Sequence, residues 1–351
     1  MLNYNGDLID NKDFSISENN RAFKYGDAIF ETVRVVNANV IFWEDHYFRL
    51  MASMRMLRME IPLKFTLEFL EQEILKTIPN QLENNNLRVR FSIYRKHGGL
   101  YAPKTNEVDY LIEVSENTYQ TKELYRIDLF KDFYNYSGLL STIKTTNRML
   151  NTLASIYMQE NDLDNCVLLN EKKGIVEATN ANIFVVKGTE IKTPALEEGC
   201  IKGVVRKKVI EILEKNTDFT LVETSISPFE MQKADEIFLT NSIIGIQPVT
   251  NYRKNEFKTE IGDKLIKDTK INFIEVNCDK EKVICGSGSD EVIQMLCQLF
   301  LKPKDEAIVP QFSFLMYRIY AKIVGANVIF AREKKFKVSV NEIIKKVTKK
   351  T

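Results

Sequence analysis

Lys144 is the residue with the clearest potential for covalent chemistry. It lies in LLSTIKTTN, among apolar and hydroxyl residues rather than among other charges. An ordinary lysine is a solvated surface group, but burial of a lysine lowers its pKa and makes the neutral amine available. A neutral, nucleophilic amine is what Schiff-base formation with an aldehyde requires. The setting of Lys144 therefore indicates a candidate nucleophile.

Two further sites offer groups that complement such an amine. Glu177 lies within IVEATNANIF, where burial would require a cationic partner to offset desolvation, unless the residue sits exposed at a strand end. Gly203 directly precedes a predicted helix, so the N–H groups of Val204 and Val205 would face outward at its positive end. Such an end is suited to a phosphate, although many helices that begin with glycine bind nothing.

An amine, a buried carboxylate and a phosphate seat together describe the needs of one cofactor. Pyridoxal phosphate has an aldehyde for the amine, a ring nitrogen for the carboxylate and a phosphate for the helix terminus. Protonation of that ring nitrogen makes the ring an electron sink. The three residue types therefore predict a pyridoxal phosphate site.

The elements that must position these residues fall into two blocks before residue 265. Hydrophobic periodicity predicts strands and helices in each block, with a polar connector between 115 and 137. The first block has strands at 39–43, 87–95 and 108–114 and helices from about 45 and over 66–78. The second has β-rich segments at 141–147, 165–170, 174–178, 182–188 and 235–241, and helices near 148–160 and 203–213.

Beyond residue 265 the pattern changes to strand, helix, strand, helix, strand. The segments are 283–286, 289–301, 306–310, 313–324 and 327–331. This order favours parallel strands with right-handed crossovers and indicates a further domain.

Composition excludes several classes of function. The 351 residues carry a net charge of +1, so no global field favours nucleic acid or an anionic membrane. The five cysteines form no Cys-x-x-Cys pair and only two histidines are present, which argues for reduced thiols and against a metal site. No export signal or long apolar run is visible, so a cytoplasmic location is expected.

Residues 1 to about 270 resemble the class IV aminotransferases, pyridoxal phosphate enzymes of fold type IV. That family includes branched-chain aminotransferases, D-amino acid aminotransferases and aminodeoxychorismate lyases. The matching stretches are NRAFKYGDAIFETVRV (20–35), FWEDHYFRLMASM (42–54), KTTNRMLNTLAS (144–155), EATNANIF (177–184), IKTP (191–194), GCIKGVVR (199–206) and FLTNSIIGIQPV (238–249).

The resemblance implies roles for individual residues. Lys144 would form the Schiff base and move a proton, Glu177 would pair with the ring nitrogen, and Ile201 would pack on the ring. The phosphate would be bound by Arg49, the Val204 and Val205 amides, and Ser242. Tyr25 and Phe30 would line the substrate pocket. Two positions depart from the family, which commonly has proline at 202 and threonine at 205, whereas this chain has Lys202 and Val205.

The choice of reaction depends on the pocket wall. Arg88 and Arg90 alternate along LRVRFSIYR, so both could face the site, although one or both could instead face outward. A doubly basic wall suits a dicarboxylate or a chorismate-like substrate, and an apolar wall suits leucine, isoleucine or valine. The match of GLYAPKTN (99–106) favours transamination between a branched-chain amino acid and 2-oxoglutarate. The alternatives are an aminodeoxychorismate lyase, which releases 4-aminobenzoate and pyruvate, and a catalytically impaired cofactor-binding fusion protein.

Residues from about 275 to 351 resemble the N-terminal part of histidinol-phosphate aminotransferase, an enzyme of fold type I. By resemblance, the amides around Ser289 and Asp290 would hold a phosphate, and Phe314 would stack on a cofactor ring. The catalytic lysine and ring-nitrogen aspartate of that family lie beyond the matched part. The segment is therefore expected to be catalytically inert and marginally folded, or else to serve a dimer contact or regulation.

These observations combine into one architectural expectation. The resemblance implies a two-domain fold-type-IV enzyme of α+β and α/β character, followed by a truncated α/β fragment. The expected boundaries are 1–120, 121–270 and 275–351. A homodimer acting on an amino acid and a 2-oxo acid is implied as well.

Overall fold

The structure is a computed structural model. It describes residues 1–82, 85–215, 217–269, 289–311, 313, 315–333 and 340–351. The chain divides into two compact units, Met1–Glu275 and Val276–Thr351. The three predicted domain ranges remain predictions, because the division into two compact units does not test them.

The first half of the larger unit is built on a six-stranded antiparallel sheet. Its strand order is β2-β1-β6-β5-β3-β4. The strands are β1 (Leu2–Tyr4), β2 (Asp7–Ile9), β3 (Ala28–Val36), β4 (Asn39–Val40), β5 (Asn86–Arg95) and β6 (Val108–Glu116), and the helices are α1 (Arg21–Tyr25), α2 (Trp43–Met56) and α3 (Leu67–Thr77).

The two faces of this sheet are buried to different extents. Side chains alternate along each strand, so neighbouring residues lie on opposite faces. On β3 and β5, the face that carries Val33 and Val89 packs under α2 and α3 in a continuous apolar core. The opposite face carries Phe30, Thr32 and Arg90, which remain partly accessible. Thr32 pairs with Arg90 across the two strands. This second face forms one wall of the site described below.

The second half of the larger unit contains two five-stranded sheets. The orders are β12-β11-β10-β13-β14 and β16-β15-β7-β8-β9. The strands are β7 (Arg126–Leu129), β8 (Asn165–Leu169), β9 (Ile175–Ala178), β10 (Asn182–Lys187), β11 (Glu190–Pro194), β12 (Thr220–Thr224), β13 (Glu236–Asn241), β14 (Gly245–Val249), β15 (Asn251–Tyr252) and β16 (Asn255–Glu256), with helices α4 (Met149–Glu160), α5 (Val204–Leu213), α6 (Pro228–Gln232) and α7 (Glu260–Thr269).

Helices cover the outer faces of both sheets. Val205 and Val209 of α5 join Leu265 of α7 in an apolar cluster against Phe184 and Phe238, whose rings stack at 4.9 Å. The nearly continuous apolar sequences of β8, β10 and β13 follow from this burial on both faces.

Three expectations about local structure need correction. The segment 141–147 is not a strand, because it contains only the end of a short 3-10 helix and one isolated bridge from Thr145 to Ile29. The predicted connector 115–137 contains β7, which pairs with β8 and β15. The predicted strand 39–43 is confined to Asn39–Val40, since Trp43 already begins α2.

The smaller unit contains a pair of parallel strands with flanking helices. Its elements are α8 (Ser289–Phe300), β17 (Glu306–Pro310), α9 (Leu315–Ile323), β18 (Asn327–Ala331) and α10 (Val340–Ile344). β17 and β18 pair in parallel, as their order around α9 predicts. The predicted strand 283–286, the turn that follows it and Phe314 lie outside the described residues.

The described helices of the chain include none that is long and apolar enough to cross a membrane.

Candidate functional site

A cavity of about 320 Å³ lies within the larger unit and brings together most of the residues that the sequence singled out. Ten of the eleven predicted site residues line it: Lys144, Arg49, Glu177, Ile201, Val204, Val205, Ser242, Phe30, Arg88 and Arg90. They come from strands β3, β5 and β9, from helices α2 and α5, and from loops outside these elements. Residues that are far apart in the sequence therefore form a single site.

Lys144 reaches the cavity from an irregular segment fastened to the first sheet. The Phe30 N–H donates to the Lys144 carbonyl at 2.9 Å, and the Thr146 N–H donates to Ala28 at 3.0 Å. The Lys144 amine lies 4.7 Å from the centre of the Phe30 ring. The backbone of Lys144 is thus fixed on β3 while its side chain enters the cavity.

The environment of Lys144 favours a neutral amine. Burial lowers the pKa of Lys144 to about 8, and the positive charge of Arg49 contributes in the same direction. The carboxylate of Glu31 opposes this shift without reversing it. At neutral pH a useful fraction of the amine is unprotonated, as nucleophilic attack on an aldehyde requires.

Glu177 occupies the cavity wall on β9 and is buried. The Ile201 N–H donates to its Oε2 at 2.8 Å. Burial raises the pKa of Glu177 above its ordinary value, while the charge of Arg148 and the Ile201 hydrogen bond oppose the rise. A buried carboxyl group with a raised pKa and a fixed orientation is suited to share a proton with a ring nitrogen.

The positive charge that acts most strongly on Glu177 is that of Arg148, which the sequence reasoning did not select. Arg148 precedes α4 and lines the same cavity. Its Nε donates to the Thr145 carbonyl at 3.1 Å, and its Nη2 donates to the Ile143 carbonyl at 2.8 Å. Its position four residues after Lys144 was the available signal, but a sequence does not tell which acid an arginine faces.

The N-terminus of α5 opens onto the cavity. Gly203 is its N-cap and provides no side-chain cap, so the first N–H groups of the helix remain directed at the cavity. A Cβ at Gly203 would come within 1.9 Å of the Asn182 Oδ1 atom. Asn182 is itself held by a 2.8 Å hydrogen bond from its Nδ2 to the Ile201 carbonyl. Close packing therefore restricts this position to glycine.

Arg49 is held at the same end of the cavity by a buried carboxylate. Its Nε donates to Glu31 Oε1 at 2.8 Å, and its Nη2 donates to Glu31 Oε2. Burial works against ionisation of Glu31, but the charge of Arg49 and hydrogen bonds from His46 and Arg49 lower its pKa to about 2. Arg49 Nη1 also donates to the Lys202 carbonyl at 2.8 Å. Since only the backbone of Lys202 is used, the change from the family's proline leaves this contact intact.

Two hydroxyl groups complete this end of the cavity. Ser242 lies in the turn after β13, which Asn241 stabilises by accepting the N–H groups of Ile243 and Ile244 at 2.9 and 2.8 Å. Thr240 also lines the cavity, and its buried Oγ1 has no hydrogen-bond partner within the described residues. Sequence reasoning missed Thr240 because one hydroxyl inside an apolar strand gives no sign of where it points.

The opposite wall is formed by the exposed face of β3 and β5. Arg88 and Arg90 both line it, as the strand alternation predicts. Arg90 lies with its guanidinium carbon 3.9 Å from the centre of the Phe30 ring and pairs loosely with Glu113 at 3.8 Å. Arg88 has no acidic partner in the part of the chain that the structure describes. The wall thus combines an aromatic surface with unneutralised positive charge.

Tyr25 does not line this cavity, contrary to the prediction from resemblance. It ends α1, where Gly26 adopts a left-handed conformation with φ of 62°. The Tyr25 ring instead packs against Tyr101 at 5.6 Å and beneath Arg21 at 5.0 Å. The short helix turns the ring away from the cavity and toward the loop at 98–101.

This chain belongs to the family described as amino-transferase class IV, which matches residues 28–252. The family described as aminotransferase class I and II matches residues 228–351. The match of the first family covers more than half of the chain and includes the whole cavity. The enzyme is therefore a pyridoxal phosphate-dependent aminotransferase of class IV joined to a class I and II segment.

Among curated relatives, a putative branched-chain-amino-acid aminotransferase of Methanocaldococcus jannaschii is 29% identical over 252 residues, covering 70% of this chain and 85% of that protein. An aminodeoxychorismate lyase of Vibrio harveyi is 26% identical over 254 residues, covering 68% and 88%. Both activities occur at this level of similarity, so similarity to relatives leaves the particular reaction open.

The smaller unit has a different relative. A histidinol-phosphate aminotransferase of Pelagibacter ubique is 76% identical over 74 residues, which are 21% of this chain and 21% of that protein. The chain thus spans about a fifth of the length of that relative.

Solved structures agree on the fold of the larger unit. The branched-chain aminotransferase of Thermoproteus uzoniensis has a TM-score of 0.71 at 22% identity, covering 77% of this chain and 93% of that chain. The branched-chain amino acid aminotransferase of Escherichia coli has a TM-score of 0.70 at 17% identity, covering 80% and 96%. A further branched-chain amino acid aminotransferase, complexed with N-(5'-phosphopyridoxyl)-L-glutamate, has a TM-score of 0.68 at 20% identity, covering 76% and 91%. The fold-type-IV architecture is therefore confirmed.

The residues of the cavity fit pyridoxal phosphate. An amine with a lowered pKa and a buried carboxyl group line one cavity, as the aldehyde and ring nitrogen require. The uncapped terminus of α5, the Arg49 guanidinium and the unpartnered Thr240 hydroxyl supply donors for a phosphate. No part of the donor set conflicts with the cofactor that the family uses.

Proposed function

We propose that the protein transfers an amino group between a branched-chain amino acid and 2-oxoglutarate, with Lys144 as the catalytic residue. One observation carries the proposal: a lysine with a lowered pKa and a buried glutamate share a cavity whose other wall is both apolar and basic. The relatives named above are consistent with it, since one of them is described as a branched-chain aminotransferase.

The residues that line the cavity have different roles, which follow from their positions. When bound, pyridoxal phosphate supplies an aldehyde that accepts the amino group and a ring that withdraws electrons from the substrate. Lys144 would hold the cofactor through its aldehyde carbon and, once the amino group of the substrate has taken that place, its free amine would move a proton to and from the α-carbon of the substrate. Glu177 would hold a proton at the ring nitrogen. Arg49 and the N-terminus of α5 would bind the phosphate through charge and backbone N–H groups.

The wall around the reacting end supports the proposed pair of substrates. Phe30 offers apolar surface on this wall for a branched aliphatic side chain. Arg88, which has no acidic partner among the described residues, would bind the second carboxylate of 2-oxoglutarate. One wall would thereby serve both half-reactions, first with an apolar side chain and then with a charged one.

Glutamate formation from leucine and 2-oxoglutarate tests the proposal directly. We expect turnover with leucine, and a rise in KM for 2-oxoglutarate of roughly tenfold or more in Arg88→Gln, because a charge-assisted hydrogen bond is lost. The KM for leucine should change little in the same variant. Absence of glutamate with every branched-chain donor, from protein that binds the cofactor, would refute this substrate assignment.

A second candidate is the lyase reaction on aminodeoxychorismate. The observation that favours it is the pair of arginines on one wall, which suits a substrate with two carboxylates. This reaction needs no 2-oxo acid acceptor and releases pyruvate from a single substrate. Pyruvate formation without an acceptor would identify it, and glutamate formation would identify transamination. Cofactor binding with neither product would indicate the catalytically impaired alternative.

A further inference from the structure

Arg148 contacts the backbone on both sides of the cavity lysine. Its Nη2 donates to the carbonyl of Ile143 at 2.8 Å, and its Nε donates to the carbonyl of Thr145 at 3.1 Å. These are the residues immediately before and after Lys144. One guanidinium therefore spans the peptide groups that define where the lysine side chain begins.

The remaining carbonyl of this segment is bound from the other side. The Lys144 carbonyl accepts from the Phe30 N–H at 2.9 Å, so β3 and Arg148 together satisfy three successive carbonyls. The segment belongs to no regular strand, and Ile143 is buried beneath it. Without the ladder of a sheet, these few hydrogen bonds decide the direction of the Lys144 side chain.

Arg148 also acts on the charges of the cavity. Its guanidinium favours the ionised form of Glu177 and disfavours the protonated form of Lys144. The other charges that face Lys144 are Arg49 from α2, Glu31 from β3 and Glu177 from β9, and His46 lies near enough to respond to the lysine charge. Among the charges that act on Glu177, Arg148 has the largest effect.

We propose that Arg148 is a positioning residue that fixes the Lys144 segment against β3 and biases the protonation of both Lys144 and Glu177. It favours a neutral amine on the one and an ionised carboxylate on the other. Arginine is required because its planar fork can bridge two carbonyl groups while remaining charged, which the single ammonium group of lysine does not reproduce. The inference rests on the role proposed for Lys144, and its main test needs neither cofactor nor substrate.

Competitive chemical labelling of the full chain without cofactor provides that test. Protein is labelled with acetic anhydride across a pH series, and the extent at Lys144 is read by peptide mass spectrometry. In Arg148→Met, loss of the like charge and looser packing should both raise the pKa of Lys144. Its labelling rate at pH 7 should fall by about three- to tenfold. Arg253→Met, which removes a surface arginine paired with Asp128, is the matched control and should leave the rate unchanged.

Arg148→Lys keeps the positive charge at this position but removes the guanidinium that bridges the two carbonyl groups. It therefore provides a second test if Arg148→Met does not fold. This variant should keep the Lys144 labelling rate within about twofold of wild type, because the charge remains. Its kcat in the glutamate assay should nevertheless fall by about tenfold or more with little change in KM, because the lysine is misplaced.

Two results would overturn the proposal. One is an unchanged Lys144 labelling rate in folded Arg148→Met. The other is an Arg148→Lys variant whose defect lies in KM alone, which would make Arg148 a substrate contact. Borohydride reduction followed by peptide mapping keeps the premise separate, since attachment of the cofactor to a different lysine would refute the role of Lys144 itself.

Discussion

The two compact units differ in how their similarity to known proteins relates to their packing. The unit Met1–Glu275 matches the two curated relatives named above at 29% and 26% identity, yet it has four apolar clusters and a cavity that contains most of the predicted site residues. The unit Val276–Thr351 contains a segment 76% identical to its relative, but many of its large apolar side chains are exposed: Leu296, Leu299, Phe300, Leu315, Ile323, Phe330, Val340 and Ile344.

This difference shows that sequence identity and packing are separate properties. Sequence identity measures how recently two segments diverged, whereas a packed core requires elements that cover each apolar face. The smaller unit spans about a fifth of its relative, and the parallel pair of β17 and β18 would be covered on both faces in a full α/β sheet. Chemistry is therefore expected from the less similar unit.

The largest effect should come from Lys144. Lys144→Arg keeps the charge but removes an amine that can be deprotonated, so transaminase activity should fall by roughly a thousandfold or more. Borohydride should then fix no cofactor on the peptide that contains residue 144. Lys254→Arg, at an exposed turn of the same unit, is the control and should be fully active. Activity near wild type in Lys144→Arg would show that the cavity is not the site of reaction.

Replacement of Glu31, whose carboxylate binds Arg49, should have the next largest effect. Glu31→Gln removes the buried carboxylate that binds the partly buried Arg49 guanidinium and should destabilise the protein by about 3–5 kcal/mol at pH 7. Because the folded pKa of Glu31 lies near 2, below the ordinary value of 4.5, its stabilisation is present above pH 4.5 and is lost as pH falls toward 2.

Urea unfolding of wild type and Glu31→Gln at pH 7 and at lower pH measures this contribution. The gap between the two curves should narrow below pH 4.5. The exposed Glu123→Gln serves as the control and should show no such gap. A gap that stays constant down to pH 3 would contradict the assignment of Glu31 as an ionised partner.

A smaller effect is expected at the helix terminus. In Gly203→Ala, the added methyl group meets Asn182 Oδ1 and must displace it, which shifts the first turn of α5. The affinity for pyridoxal phosphate should weaken by about tenfold, equivalent to about 1.4 kcal/mol. Gly138→Ala is the control, because that residue is extended and has open space around its Cβ position. Equal affinities in the two variants would argue against phosphate binding at α5.

The smallest effect should follow deletion of residues 276–351. Among the described residues, all those that line the cavity lie from Phe30 to Ile244, so the shortened protein should keep its kcat within about twofold of wild type. Glutamate formation by the shortened and full chains at equal concentrations checks this. A loss of tenfold or more in kcat would show that the smaller unit contributes to activity. The two units would then not differ in the way proposed here.

Sequence reasoning reached the cavity through residue types that are rare in their setting. A lysine and a glutamate within apolar stretches carry a physical signal, and the alternation of Arg88 and Arg90 predicts their common face. Arg148 and Thr240 carry no such signal, because their roles depend on which distant groups they meet. The resemblance gave Tyr25 a role in the substrate pocket but no information on the packing of its ring, which lies against Tyr101.

Element types were predicted more reliably than their edges and connections. The apolar strands β8, β10 and β13 follow directly from their composition, whereas β11 and β12 are polar enough to escape notice. The segment around Lys144 reads as a strand because it is rich in β-branched residues, but Arg148 and β3 bind its carbonyls in an irregular conformation. Tertiary contacts override local preference there.

The attachment of Lys144 to β3 has a mechanical consequence for the loaded enzyme. A cofactor joined to this lysine and seated on α5 would close a covalent and ionic loop of about 60 residues, much as a disulfide closes one. Bound pyridoxal phosphate would then act as a removable cross-link between the six-stranded sheet and the two five-stranded sheets. Loading should raise the melting temperature and slow amide hydrogen exchange between β8 and β10, the part of the chain that carries Glu177.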